Sequence, residues 1–144
     1  VTAYLDSSVV LRYILAGEIV IRHVQQYPRI VSSELLEIEC KRVIQRVRLQ
    51  HELTDAGVME AYRRLEEVLL GVDLLELSHA VRVRAAESFP VVIGTVDAMH
   101  IATALLWAAD TRGEGGNASA VHVFSHDAAL NTCARTVGLS VGMG

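Results

Sequence analysis

Short apolar runs alternate with helical patterns along the whole chain, and this order limits the possible folds more than any other feature. TAYLD (2–6) reads as a buried strand. Residues 7 to about 16 follow a helical pattern that Gly17 ends. Residues 18–27 place Ile19, Val20, His23, Val24 and Tyr27 at helical spacing up to Pro28. RIVS (29–32) is a second strand, and Ser32 or Ser33 caps a long helix over SSELLEIECKRVIQRVRLQ (32–50). Thr54 and Asp55 open the helix TDAGVMEAYRRLEEVLL (54–70), and Gly71 closes it. VDLLEL (72–77) is a third strand. Ser78 caps HAVRVRAAESF (79–89), Pro90 closes that segment, and Thr95 caps VDAMHIATALLWAAD (96–110). The Gly-rich run TRGEGGNASA (111–120) then leads into a strand, VHVFSHD (121–127), a helix, DAALNTCARTVG (127–138), and a last strand, LSVG (139–142).

Strands separated by helices pair parallel, because the crossover needs the length of a helix. The expected fold is therefore α/β, with three layers and a mostly parallel central sheet between helices. At 144 residues the chain is read as a single domain, 1–144. The Gly-rich run is a connector inside it, since too few residues follow to bury a core of their own. Hydrophobic residues make up 51% of the chain and aromatic ones only 5%, which excludes disorder and suits helices packed on a sheet. No apolar run reaches transmembrane length and no basic-then-apolar leader opens the chain, so a cytoplasmic protein without a membrane partner is expected. Cys40 and Cys133, far apart and within helical patterns, read as packed reduced thiols. A net charge of −4 argues against a passive nucleic-acid binder. It leaves room for an enzyme that meets phosphates through bound cations.

In an open parallel sheet, ligands bind outside the carboxyl ends of the strands. Two acids fall there: Asp6 after the first strand, Asp127 after VHVFSHD. Two more lie on helix faces that ought to be apolar. At ~100° per residue, Glu39 lands in the stripe of Leu35, Leu36, Val43 and Val47, with Cys40 and Ile44 at its edge. Asp97 shares its face with Ile101, Ala104, Leu105 and Ala108. Capping is a sufficient structural reason for Asp6 and Asp127, and a first-turn acid at the helix dipole is an ordinary role for Asp97. Glu39 has no capping use. Four carboxylates that converge require a counter-charge, and an oxygen-only donor set selects Mg²⁺ or Mn²⁺. Such a cluster suits metal-assisted phosphoryl chemistry. Ser7 and Ser8 read as hydrogen-bond partners of Asp6. His100, one turn from Asp97, is either an orienting group for it or a packed helix residue, and His126 points to the opposite face of its strand. Cys-x-x-Cys spacing and Gly-rich phosphate loops of Walker or Rossmann type are absent from the sequence.

These residues resemble the PIN-domain ribonucleases, in particular the toxins of VapBC-type toxin–antitoxin modules. YLDSSVVLRYIL resembles the family's opening strand and helix, with Asp6 as first acid. VSSELLEIECKRVI is similar to its second segment and places the second acid at Glu39 rather than Glu34 or Glu37. TVDAMHIATALL carries the third, Asp97, and FSHDAALNTCARTVGL the fourth, Asp127. The resemblance implies a Mg²⁺- or Mn²⁺-dependent endoribonuclease cutting structured RNA, such as a tRNA or a ribosomal RNA loop. It also implies a homodimer and a cognate antitoxin that blocks the acidic groove, often by presenting an Arg. Arg12, Arg42, Arg46 and Arg48 are candidates to track the RNA backbone, or else a solvated face. The chain departs from the family pattern at TRGEGGNASA, longer and richer in Gly than the usual link and a candidate flap near Asp127. The alternative reading is a PIN-like domain without nuclease activity that binds a protein or RNA. A phospho-receiver domain fits less well, because VDLLEL carries no Asp at its end.

Overall fold

Strand β1 (Thr2–Leu5) is the centre of a five-stranded sheet. The computed structural model describes residues 1–18, 20–110 and 113–142. Ile19, Thr111 and Arg112, which the sequence reading places in a helix and in the Gly-rich run, lie outside the described residues. The other strands are β2 (Arg29–Ser33), β3 (Asp73–Leu75), β4 (Val121–Phe124) and β5 (Ser140–Val141). Their order is β3-β2-β1-β4-β5, and every pairing is parallel. Thr2 stands opposite Arg29 on one side, and Leu5 opposite Phe124 on the other. The chain builds outward from β1 through β2 to β3, then returns to lay β4 on the other flank of β1. That reversal puts a topological switch point at the carboxyl end of β1, where this class of sheet opens a crevice.

The helices are α1 (Ser7–Ala16), α2 (Val20–Val24), α3 (Leu35–Leu49), α4 (Asp55–Leu70), α5 (His79–Ala85), α6 (Thr95–Ala109) and α7 (Ala128–Thr136). Side chains alternate across β1 and divide the core in two. Ala3 and Leu5 join Val9, Ile14, Leu36, Ile44 and Leu65 beneath α1, α3 and α4. Tyr4 joins Val31, Ile101, Ala104, Leu130 and Cys133 beneath α6 and α7. By the same alternation Asp6 continues the Tyr4 face, toward α6.

Several boundaries differ from expectation for visible reasons. The helix expected to reach Tyr27 ends at Val24, because Tyr27 turns inward. Its hydroxyl meets His122 Nδ1 at 2.7 Å and its ring packs edge-on to Phe124. Helix α5 stops at Ala85, and Phe89 folds back under the Arg84 guanidinium, 4.5 Å from its ring centre. Ser33, not Ser32, serves the start of α3 by accepting the Leu35 N–H; Ser32 donates to the Leu5 carbonyl at 2.6 Å and ties β2 to β1. Thr95 is the first helical residue of α6 and caps nothing; Gly94 holds the cap position.

The Gly-rich run is not a flap near Asp127. A loop preceding a parallel strand lies at the sheet's amino edge, opposite the carboxyl edge where Asp127 sits. From Gly113 onward it packs there: Glu114 accepts the Thr2 hydroxyl and pairs with the Val1 amine at 3.6 Å, and Gly116 N–H reaches the Ala108 carbonyl.

Candidate active site

Asp6 follows β1 directly, and its backbone N–H bonds the Phe124 carbonyl at 3.0 Å, joining the ends of β1 and β4. It occupies the cap position of α1, yet its carboxylate caps nothing. Its Oδ2 instead accepts the hydroxyls of Ser8 and Ser125, both at 2.7 Å. Each hydroxyl in turn accepts a backbone N–H at 2.9 Å, Ser8 from His126 and Ser125 from Asp127. With those lone pairs occupied, each hydroxyl's single proton goes to Asp6. Oδ2 is thereby filled. Among the described residues, Oδ1 has only His100 Nε2, at 3.8 Å. Asp6 is 4% exposed, so a lone anion here is costly unless compensated.

Glu39 reaches the same edge from α3. The buried side of α3 runs through Leu36, Cys40, Ile44 and Val47, so Glu39 stands at the rim of the stripe rather than inside it, with 24% of its side chain exposed. Ser7 donates to Glu39 Oε2 at 3.0 Å, not to Asp6. His100, 1% exposed, meets Glu39 Oε1 through Nε2 at 2.6 Å and the Tyr4 hydroxyl through Nδ1 at 2.7 Å. Its contact is thus with Glu39 on another helix and not with Asp97 one turn away.

Asp97 lies in the first turn of α6, half-buried, and its carboxylate accepts no hydrogen bond from the described residues. Burial above all, then the charges of Asp127 and Asp6, push its pKa from 3.8 up to about 6; His100 opposes this and Glu39 adds to it. Asp97 is therefore within electrostatic reach of all three other acids. Asp127 is exposed and caps α7, accepting the Leu130 N–H at 3.0 Å through Oδ1; the capping reading holds for this acid.

A family model for the PIN domain matches residues 3–112, more than half of the chain. The chain belongs to the PIN-domain family. The matched segment contains Asp6, Glu39 and Asp97, and Asp127 lies beyond it. Among solved structures, a chain of VapBC2 from Rickettsia felis, crystallised bound to a DNA fragment from their promoter, is similar in fold. The TM-score is 0.67 at 10% identity, over 99% of this chain and 98% of that one. No curated protein sequence matches.

Ser125, His100 and Tyr4 are members of this PIN-domain edge to which sequence reasoning assigned no such part. Only His100 left a signal, as a His on an apolar helix face; the role of Ser125 depends on a contact 119 residues away in sequence. Among the described residues, no three His, Cys, Asp or Glu side chains form a closed metal cage. The donors nevertheless fit a hard cation. Asp6 Oδ1 and the Asp97 carboxylate are oxygen donors with no Lys or Arg partner among the described residues. Mg²⁺ keeps several waters and needs only one or two direct carboxylates.

Proposed function

We propose that this PIN domain is a Mg²⁺- or Mn²⁺-dependent endoribonuclease, the toxin of a toxin–antitoxin pair that stops translation by cutting a structured RNA. One observation carries the reading. Among the described residues the half-buried Asp97 carboxylate has no hydrogen-bond donor, and it lies within electrostatic reach of Asp6, whose Oδ2 is saturated by two hydroxyls. A fold gains nothing in stability from two such carboxylates at one edge. It gains a binding site for a divalent cation and, through it, a phosphodiester.

Asp6, Glu39, Asp97 and Asp127 would hold the ion, with Ser7, Ser8 and Ser125 fixing the first two. Once bound, the ion supplies neutralising charge and an acidified water for attack on the phosphate. The residues' own part is orientation. Serine hydroxyls aim Asp6, Ser7 holds one oxygen of Glu39, and the Asp127 cap fixes that residue at the start of α7. Arg42 and Arg46, exposed on α3 one and two turns beyond Glu39, can pair with RNA phosphates leading away from the edge. The family's typical character as metal-dependent nucleases and the likeness to VapBC2 support this assignment. An antitoxin presenting an Arg would satisfy the same carboxylates in the resting state. Leu49 and Met59 leave apolar surface on α3 and α4 for a protein partner or a second copy of this chain.

The test is cleavage of structured RNA with and without Mn²⁺, comparing the wild type with Asp6→Asn and Asp97→Asn. Both variants should stay folded and lose more than the ~100-fold upper figure for losing an outer-shell partner. Full cleavage by Asp97→Asn would sink the site. RNA and metal binding without cleavage by the wild type would favour a binding module instead.

A further inference from the structure

Beneath the carboxylates runs a buried polar chain that the four-acid scheme does not use. Tyr4, on β1, and His100, on α6, are each 1% exposed. The Tyr4 hydroxyl lies 2.7 Å from His100 Nδ1, and His100 Nε2 lies 2.6 Å from Glu39 Oε1. The two rings meet edge to face, 5.8 Å apart. Ser7 takes the other Glu39 oxygen. Three elements, β1, α6 and α3, are thus joined through one imidazole.

The direction of these bonds follows from the end of the chain. An ionised carboxylate only accepts. Nε2 must therefore carry the proton that faces Glu39, while Nδ1 meets the Tyr4 hydroxyl. Tyr4 is suited to donate, since complete burial holds its phenol well above the usual range and keeps it protonated. His100 Nε2 also stands between two acids, 2.6 Å from Glu39 and 3.8 Å from Asp6. Its N–H places a positive dipole end where the carboxylates would otherwise repel.

We propose that His100 is the positioning residue for Glu39: oriented by Tyr4, it donates from Nε2 to Glu39 and fixes that carboxylate in one rotamer beside Asp6. This deepens the ribonuclease reading and rests on it for its functional consequence. Without His100, Glu39 is a partly exposed glutamate on the rim of α3, held on one oxygen by Ser7 and free to rotate. The arrangement follows the logic by which a residue behind a ligand sets its geometry, a role typically worth about 10–100-fold in metal affinity or activity.

Two measurements test this. The first uses metal-free protein with ¹⁵N-labelled histidine. His100 Nε2 should carry a proton hydrogen-bonded to Glu39. Tyr4→Phe should shift the Nδ1 resonance and Glu39→Gln the Nε2–H. An Nε2 without a proton, or resonances unmoved by either substitution, overturns the proposal. The second is steady-state cleavage of structured RNA with Mn²⁺. His100→Leu should lower kcat about 10–100-fold and leave KM unchanged. His100→Gln, which keeps an N–H donor within reach of Glu39, should recover most of kcat. A folded His100→Leu protein with wild-type kcat, or equal losses in the Gln and Leu variants, overturns it. If the wild type cuts no RNA, the ribonuclease reading falls, and the first measurement still decides whether His100 holds Glu39.

Discussion

Replacing Asp97 by Asn should make the protein more stable while abolishing its proposed activity. Burial and neighbouring carboxylates raise the Asp97 pKa from 3.8 to about 6. The folded state therefore binds this proton more tightly than the unfolded chain does. Ionisation of Asp97 costs folding nothing below pH 3.8, and its full penalty applies above about pH 6. A shift of about two units corresponds to a ceiling of about 3 kcal/mol at 1.36 kcal/mol per unit. Asp97 is only half-buried, so solvent screening reduces this to about 1–2 kcal/mol. For a chain of this length each kcal/mol moves Tm by about 3–4 °C. Thermal unfolding of the metal-free proteins at pH 7 should place Asp97→Asn about 3–8 °C above the wild type, with the gap closing as the pH falls to 4. Adding Mn²⁺ should raise the wild-type Tm and leave the variant where it is. A variant no more stable than the wild type at pH 7, or a gap of equal size at pH 4, would refute the argument that Asp97 is an uncompensated anion.

Two further predictions concern the rest of the molecule. At Gly113 an added Cβ would overlap the Trp107 carbonyl oxygen, which is backbone and cannot move aside. Gly113→Ala should therefore cost about 1–3 kcal/mol by denaturant unfolding, while kcat for RNA stays at the wild-type value because this loop packs at the far edge of the sheet. A loss of kcat without loss of stability would mean that the loop does serve the site. Burial, followed by the charges of Glu39 and Asp6, pushes the Cys40 thiol up to about 12. Cys133 is also raised, with burial first among the causes. Neither thiol should react with an aromatic disulfide reagent at pH 8 until the protein is unfolded. Rapid labelling of the native protein would contradict the packing of both.

Sequence reasoning succeeded where one local rule decides the outcome. Alternating strands and helices leave parallel pairing as the economical choice, and parallel pairing sends every strand-end acid to one edge. It failed where a side chain chooses between a local and a distant partner. Asp6 looks like a helix cap because Asp before an apolar helix so often is one, yet Ser8 and Ser125 take its Oδ2. Helical angles put Glu39 among apolar neighbours, but angles alone do not say which direction faces the sheet. The core runs along Leu36, Cys40, Ile44 and Val47, and Glu39 is left at the rim. His100 is one turn from Asp97 in sequence, and nothing in that spacing points to Glu39 or Tyr4. The error over the Gly-rich run was one of polarity, since proximity to Asp127 in sequence spans the full length of β4.

The two serines that hold Asp6 come from opposite ends of the chain: Ser8 is two residues away from it, and Ser125 is 119. The first acid is therefore not finished when its own strand and helix emerge from the ribosome. Half of its support, together with Asp127 and the backbone N–H groups that polarise both hydroxyls, arrives only with β4 and α7. Contacts this distant in sequence close late, because the loop entropy must be met before they form. For a protein proposed to attack the RNA of translation, this ties the assembly of its candidate site to synthesis of the chain through α7. A chain released before Ser125 lacks both the second hydroxyl and the fourth acid.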